Sequence, residues 1–297
     1  MNPTVSTVSA ENTFFCGGKV NLFLKTERLN PDGFHSIATL FLPFDAPADR
    51  LEIEFDADEG ISLYCDHPEV PCGEKNLVWK AAKSYADAAK ITPHWSVFLH
   101  KDLPMAAGVG GGSSDAGAML TALEKKYGAL GREKLAEVAL TLGADVPFFL
   151  IRKPCIGRGR GERLSVVGDL PMPPVVLVNP AFPVSAKWAY THLSDERRAP
   201  AENGVIARLV AALKGKNYPE AASLLHNDLE YALFDKFPLL GVLREELLQQ
   251  GALRVIVSGS GSSLLALMRD HSQAETCAAF FDRKEGLRAW HLKEMKR

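Results

Sequence analysis

The chain has 297 residues, of which 46% are hydrophobic and 24% charged, as expected for two packed globular domains and not for a disordered protein. Its 34 lysines and arginines are balanced by 36 aspartates and glutamates, which excludes the basic excess typical of nucleic-acid binding. Residues 1–16 lack a signal-peptide pattern, and no apolar segment approaches the ~18 residues that cross a bilayer, so we expect a cytosolic protein with no membrane partner.

The cysteines agree with that compartment. The five cysteines are widely scattered and form no C-x-x-C pair, which fits reduced intracellular thiols better than a disulfide framework. Cys65, His67 and Cys72 lie close together in the sequence. A tetrahedral zinc site needs a fourth ligand, so incidental packing or surface positions are the favoured interpretation.

The first predicted element is a β-hairpin. Residues 19–28 alternate apolar and polar side chains, the segment Pro31-Asp32-Gly33 favours a turn, and residues 37–44 form a second extended run. Because side chains alternate across a strand, Lys19 and Asn21 should project from the same face. The sequence therefore predicts two polar groups on one surface near the N-terminus.

A helix, a strand and two further helices should follow. Residues 77–89 have helical composition, and residues 95–99 alternate as a strand that leads into a glycine-rich segment. Helices are predicted over residues 113–126 and 132–142, the second of them stopped by Gly143.

The second half alternates helical and extended patterns, which predicts an α+β domain. The predicted strands cover residues 175–178, 254–257 and 264–268, and the predicted helices cover residues 204–214, 218–226 and 239–250. We place the two domains at residues 1–155 and 156–297.

The segment of residues 104–115 carries the strongest chemical signal. It begins with Pro104 and places four glycines before two hydroxyls and an acid at a predicted helix start: Gly108, Gly110, Gly111, Gly112, Ser113, Ser114 and Asp115. Glycine lets a ligand approach the backbone, and helix N-termini favour anions. Neither the Walker pattern nor the dinucleotide fingerprint occurs here, so a polyphosphate bound by a different glycine loop is the favoured interpretation over a flexible turn.

Two ionisable residues are ambiguous in isolation. Asp145 lies between a helix stop and Pro147, so it is either the N-cap of a short helix or a carboxylate that accepts the proton of an alcohol. Lys19 is either a solvated strand lysine or a charge that neutralises a transferred phosphoryl group. Spacing alone favours the cap for Asp145.

Two small-residue segments also have two interpretations each. Residues 258–262, of sequence Ser-Gly-Ser-Gly-Ser, lie between two strand-like runs and form either a tight turn or a second loop near the phosphates. Residues 157–163 alternate glycine with charged side chains, for which an exposed hairpin tip is favoured over a phosphate contact.

Four segments give the chain a resemblance to a known family over most of its length. They occur in the order seen in the GHMP kinase superfamily: Gly18-Lys19-Val20-Asn21-Leu22, residues 104–115, residues 142–147 and residues 258–262. Within this superfamily, the triple glycine and the turn of residues 31–35 resemble those of kinases in isoprenoid-precursor synthesis. Such kinases phosphorylate a polyol that carries cytidine diphosphate. The fold implied is an N-terminal domain similar to ribosomal protein S5 domain 2 and a ferredoxin-like C-terminal domain, with the active site between them.

The resemblance also implies residue roles and cofactors. Asp145 would be the catalytic base with Lys19 as its charged partner, and Asn21 would lie beside the substrate hydroxyl. ATP would be cradled by the glycines with Ser113 and Ser114, and Asn76 would lie near the nucleotide. Mg²⁺ would bridge the phosphates, with its protein ligand open. Phe34, His35 and Tyr190 would bind the substrate, the two rings of Phe34 and Tyr190 stacking on cytosine.

Three departures from the family pattern and two alternatives accompany this interpretation. Gly17-Gly18 replaces Pro-Ala before Lys19, Phe34 stands where tyrosine is frequent, and Lys153-Pro154-Cys155 replaces small residues. One alternative is another GHMP-type kinase, acting on homoserine, mevalonate or a sugar. The other is a non-catalytic ATP-binding regulator. The oligomeric state, monomer or homodimer, is left open.

Overall fold

The computed structural model describes residues 9–29, 35–193, 202 and 204–293. The chain divides into two compact units whose segments interleave along the sequence. The first unit contains Met1–Gly17, Ala48–Leu103 and Gly111–Ile151, and the second contains Gly18–Pro47, Pro104–Gly110 and Arg152–Arg297. Two long strands, β1 (Thr13–Leu29) and β2 (His35–Glu54), contribute residues to both units. The predicted domain boundary near residue 155 stays a prediction.

In the first unit, three strands pair beside a group of helices. Strand β3 (Gly60–Cys65) pairs in parallel with β4 (His94–His100), and β4 pairs antiparallel with the last part of β2, where Arg50 lies opposite His100. Strand β4 matches the predicted alternation, because Trp95, Val97 and Leu99 are all buried. The sheet therefore presents one apolar face to the core of this unit.

Four helices complete the first unit, and their bounds are α1 Leu77–Ala89, α2 Gly111–Tyr127, α3 Gly131–Leu142 and α4 Val146–Ile151. Helix α1 has the predicted bounds, and α3 ends at Leu142, just before the predicted stop at Gly143. The core joins the apolar faces of these helices to β2 and β4, with Trp95 and Tyr85 among its largest buried side chains. Helix α2 is the central element, since it packs against α1, α3 and α4.

In the second unit, short strands pair with β1 and β2. Strand β5 (Cys155–Arg158) pairs antiparallel with β2 and forms a hairpin with β6 (Arg163–Val166). The predicted hairpin tip at residues 157–163 is therefore confirmed. Strand β8 (His226–Asn227) pairs in parallel with β1, with His226 opposite Phe23.

A separate four-stranded antiparallel sheet forms the core of the second unit. Its strand order is β11 (Arg288–His291), β7 (Val175–Asn179), β10 (Leu264–Leu267) and β9 (Arg254–Val257). This is the 4-1-3-2 order of a ferredoxin-like sheet, so the α+β prediction is confirmed for this half. The helices of this unit are α5 Ala186–Thr191, α6 Val205–Lys214, α7 Tyr218–Leu224, α8 Glu230–Lys236, α9 Pro238–Gln249 and α10 His271–Asp282.

One predicted helix is too long. The helical pattern of residues 218–226 ends at Leu224, and His226 and Asn227 instead form β8. The side chain of Asn227 donates to the carbonyls of Val257 and Gly259, both at 2.7 Å. These tertiary bonds outweigh the local helical preference. Within the described residues, none of the helices combines the length and apolarity needed to cross a bilayer.

Candidate active site

The loop of residues 104–110 has a backbone that requires glycine. Gly108 and Gly110 have φ values of 77° and 74°, a conformation that costs other residues roughly 1–2 kcal/mol. A Cβ on Gly108 would lie 1.8 Å from the carbonyl oxygen of Ser258. The loop therefore needs glycine both for its backbone conformation and for its close approach to the main chain of Ser258.

The second small-residue loop lies against this glycine loop. The Oγ of Ser258 donates to the carbonyl of Gly108 at 3.2 Å, and the amide of Ser263 donates to the carbonyl of Ala107 at 3.3 Å. Lys19 adds a third bond, from its amide to the carbonyl of Val109, at 2.9 Å. Both interpretations left open by the sequence hold in part: the amide of Gly261 donates to the carbonyl of Ser258 at 2.9 Å, which closes a tight turn, and the same loop approaches the glycine segment. Its place near the phosphates stays a prediction.

The glycine segment continues into the N-terminus of α2, which begins at Gly111. The first amides of a helix have no partner within it, and the helix dipole makes this end attractive to anions. Gly111, Gly112 and Ser113 lie in this first turn, so the helix begins two residues before the predicted start at residue 113. A phosphate site here stays a prediction. The side chain of Ser114 is engaged elsewhere, because its Oγ donates to the carbonyl of Gly17 at 2.5 Å.

Lys19 and Asn21 lie side by side, as strand alternation predicts. The Nζ of Lys19 donates to Oδ1 of Asn21 at 2.7 Å, and Nδ2 of Asn21 donates to the hydroxyl of Thr39 at 2.8 Å. The hydroxyl of Thr39 donates onward to the carbonyl of Phe23 at 2.7 Å. Lys19 and Asn21 are 5% and 1% exposed. A buried, hydrogen-bonded lysine fits a positioned charge better than a solvated strand lysine.

Asp145 lies in the first unit, between α3 and α4. It follows Gly143 and immediately precedes Val146, the first residue of α4, which is the place expected of an N-cap. Its side chain is partly exposed. The position is compatible with both predicted roles of this carboxylate, and the catalytic role stays a prediction.

Asn76 is the N-cap of α1. Its Oδ1 accepts from the amide of Val78 at 2.8 Å, and its Nδ2 donates to the carbonyl of Pro71 at 2.8 Å. The residue is 8% exposed. Its side chain therefore orders the start of α1, and a contact with nucleotide stays a prediction.

Two of the three predicted substrate-binding aromatics lie together. The rings of His35 and Tyr190 are nearly parallel, with an angle of 15° and centroids 6.4 Å apart. Nδ1 of His35 is 3.2 Å from the carbonyl oxygen of Glu27, which orients the ring. Phe34 lies outside the described residues. The structure thus brings these two residues together, and their contact with cytosine stays a prediction.

A buried charge cluster in the first unit was not identified from the sequence. The Nζ of Lys101 bonds Oδ2 of Asp115 at 2.8 Å and also bonds Asp49. Lys101 precedes Pro104 by three residues, whereas Asp49 lies in β2. Asp115 was part of the glycine motif, but no local pattern connects it to either partner.

Burial dominates the electrostatics of this cluster. It raises the pKa of Asp115 to about 7, Asp49 adds to the rise, and Lys101 opposes it. Burial by itself would lower the pKa of Lys101, but the attraction of Asp115 and Asp49 outweighs it and raises that pKa. Lys101 therefore stays charged, and the Asp115 carboxyl retains a proton well above the usual range of an aspartate.

This protonation predicts a pH dependence of stability. Between about pH 4 and 7 the folded chain holds a proton on Asp115 that an unfolded aspartate has released. The free energy of unfolding should therefore fall as pH rises through this window, by up to about 1.4 kcal/mol per unit from this group. Asp115→Asn should remove that slope, measured as the difference between urea denaturation series of the two proteins. Identical slopes would contradict the buried proton.

Comparison with known proteins identifies the family. The family model described as GHMP kinases N terminal domain matches residues 76–153, and the model described as GHMP kinases C terminal matches residues 209–286. The chain belongs to the GHMP kinase family.

Individual relatives and solved structures show which kinds of GHMP kinase the chain is similar to. The chain is 34% identical over 284 residues to 4-diphosphocytidyl-2-C-methyl-D-erythritol kinase of Syntrophotalea carbinolica, covering 94% of this chain and 97% of that protein. It is 38% identical over 271 residues to the kinase of the same name from Solidesulfovibrio magneticus, covering 88% and 90%. A crystal structure of 4-(cytidine 5'-diphospho)-2C-methyl-D-erythritol kinase superposes with a TM-score of 0.81 at 34% identity, covering 94% and 98% of the two chains. A homoserine kinase of Cytophaga hutchinsonii, at 19% identity and a TM-score of 0.68 over 98% of both chains, shares the fold alone.

Proposed function

We propose that this chain is an ATP-dependent kinase that transfers the γ-phosphate to the 2-hydroxyl of 4-diphosphocytidyl-2-C-methyl-D-erythritol, a step of the non-mevalonate isoprenoid-precursor pathway. The observation that carries the proposal is identity of 34–38% with kinases of this name along nearly the whole chain. Similarity of this extent covers both family domains. The likeness to the homoserine kinase, at 19% identity, gives the alternative substrates much less support.

The glycine segment supports ATP as the phosphate donor. The left-handed Gly108 and Gly110, followed by the free amides at the start of α2, provide donors without side chains in the way. In this proposal the phosphates contact residues 108–114. Asn76 supports the site by ordering the start of α1.

Asp145 and Lys19 are the proposed catalytic residues. Asp145 would accept or align the proton of the attacking hydroxyl, and Lys19 would supply positive charge as phosphoryl charge develops. The burial of Lys19 and its bond to Asn21 support a fixed position for its ammonium group. Asn21 would then lie beside the substrate hydroxyl.

The cytidine group would bind at the early turn. His35 and Tyr190 support this role through their nearly parallel rings, with Phe34 as the third predicted contact. Stacking contributes about 0.5–1.5 kcal/mol beyond the burial of area. The polar edge of cytosine additionally needs hydrogen-bond partners, for which the His35 ring is a candidate.

Mg²⁺ is proposed as the metal that neutralises the phosphates when bound. Among the described residues, no group of three or more histidines, cysteines, aspartates and glutamates could hold a metal ion. Mg²⁺ in kinases is held by one or two protein groups, phosphate oxygens and water. The cytosolic location expected from the sequence stays a prediction, as does the choice between monomer and homodimer.

A product assay tests the proposed substrate. With ATP and Mg²⁺, the protein should release one ADP for each molecule of 4-diphosphocytidyl-2-C-methyl-D-erythritol consumed, and CDP or CMP should compete with that substrate. Homoserine, mevalonate and simple sugars serve as matched acceptors and should give no ADP above background. Release of ADP with one of these acceptors, insensitive to CDP, would support another GHMP-type kinase. ATP binding without turnover on any acceptor would support a regulator.

A further inference from the structure

Lys101 and Asp115 of the buried charge cluster flank the glycine segment along the chain. Oδ1 of Asp49 accepts from the amides of Asp102 and Leu103, both at 2.7 Å. Leu103 immediately precedes the glycine segment, and Asp115 is the fifth residue of α2, just beyond it. Lys101 bonds Asp49 and Asp115 together. One ammonium group thus connects the chain entering the segment to the helix leaving it.

The first residue of α2 lies next to this cluster. A Cβ added to Gly111 would lie 3.6 Å from Oδ2 of Asp49 and 3.5 Å from Cβ of Leu103. These are ordinary van der Waals distances, so the gap between Gly111 and both residues is about the size of one methyl group. A shift of Asp49 would be transmitted to the first turn of the helix.

Because the cluster is buried, its ion pairs contribute little net stability. The side chains of Lys101, Asp49 and Asp115 are 6%, 0% and 3% exposed. Oδ1 of Asp115 is buried and has no hydrogen-bond partner among the described residues. Buried ion pairs often contribute less stability than well-packed apolar residues, whereas their directional bonds fix a geometry. The arrangement is therefore better suited to positioning than to stabilisation.

We propose that Lys101, Asp49 and Asp115 are positioning residues that fix the first turn of α2 so that its free amides are aligned for the phosphates of ATP. This inference rests on the proposed function, because it assigns the cluster to the same phosphate site. None of the three side chains is required to touch the nucleotide. Their effect is transmitted through the backbones of Leu103 and Gly111.

The test compares ligands that differ only in their phosphates. Asp115→Ala releases the helix from Lys101 but leaves Lys101 paired with Asp49, so no buried lysine loses all its carboxylate partners. It should weaken binding of ATP and ADP by about tenfold or more, as loss of aligned charge-assisted bonds implies. Binding of adenosine should change by less than about twofold. Calorimetry measures the nucleotides, and ligand-observed NMR measures adenosine.

A conservative variant and a packing variant serve as controls. Asp115→Asn keeps the shape and the ability to accept from Lys101, so it should retain ATP affinity within about threefold of the original protein. Val138→Ala removes buried volume from α3 and should lower the unfolding midpoint without changing the ratio of ATP to adenosine affinity. All binding is measured at a temperature at which circular dichroism shows each variant to be folded.

Each outcome decides the inference. Loss of ATP affinity in Asp115→Ala, recovery in Asp115→Asn and unchanged adenosine binding support positioning. Unchanged ATP affinity in Asp115→Ala, or an equal loss for adenosine and ATP, would overturn it, since the cluster would then serve general folding. Failure of the unsubstituted protein to bind ATP would contradict the proposed function itself and would overturn this inference with it.

Discussion

Replacing Asp145 with asparagine is expected to lower kcat by about 10²–10⁴-fold, the contribution typical of a positioned general base. The dissociation constant of ATP should stay within about threefold, because the amide fills the same volume and removes only the basic oxygen. Steady-state kinetics with the cytidine substrate measure the first quantity, and calorimetry measures the second. A fall in kcat without a loss of ATP binding is the pattern of a group needed in the transition state.

The asparagine variant also separates the two interpretations of Asp145. Asparagine and aspartate are similarly good N-caps, whereas alanine is a poor one. If Asp145 only caps α4, Asp145→Asn should be almost fully active and Asp145→Ala should lose about 0.5–2 kcal/mol of stability. If it is the base, both variants should lose activity. Glu137→Gln, an exposed acid on α3, is the matched control and should keep full activity. Near-normal turnover of Asp145→Asn would rule out the catalytic role.

Local patterns predicted the elements that depend on neighbouring residues. Helix α1 begins and ends as expected because Asn76 caps its start and its apolar residues share one face. Strand β9 also has the expected bounds, Arg254–Val257, since a short apolar run between turn residues has few alternatives. The same holds for the lysine and asparagine of β1, whose shared face follows from alternation alone.

Tertiary contacts explain what the sequence did not reveal. Asp49 and Asp115 are 66 positions apart in the sequence, yet both bond Lys101, and no periodic pattern connects the three. Likewise Ser258 bonds Gly108 across a separation of 150 residues. Both small-residue loops are among the segments that resemble GHMP kinases, but only the structure shows that their backbones are in contact.

The predicted end of α7 was wrong for the same reason, a tertiary contact. Helical propensity is a weak preference, worth less than ~1 kcal/mol per residue for ordinary side chains. The three bonds made by Asn227, two donated by its amide group and one accepted from the amide of Leu229, outweigh it. Long-range hydrogen bonding by a buried side chain thus decided the local structure.

Replacing Gly108 with alanine is expected to lower the free energy of unfolding by about 2–5 kcal/mol, from backbone strain of roughly 1–2 kcal/mol and overpacking of about 1–3 kcal/mol. The new Cβ would lie 1.8 Å from the carbonyl oxygen of Ser258 and 3.0 Å from the amide nitrogen of Gly261. Both neighbours are main-chain atoms, so no side chain can rotate away. Urea denaturation measures the change.

Gly286→Ala provides a control with the same backbone strain. Gly286 also has a φ of 77°, lies in the same unit and has open space where its Cβ would stand, so its substitution should cost only the roughly 1–2 kcal/mol of the left-handed conformation. Gly108→Ala should in addition weaken ATP binding by about tenfold or more, because relief of the contact moves amides that must lie within ~3.2 Å of phosphate oxygens. Equal stability losses in the two variants, with ATP affinity unchanged in both, would show that the close approach of the two loops has no part in nucleotide binding.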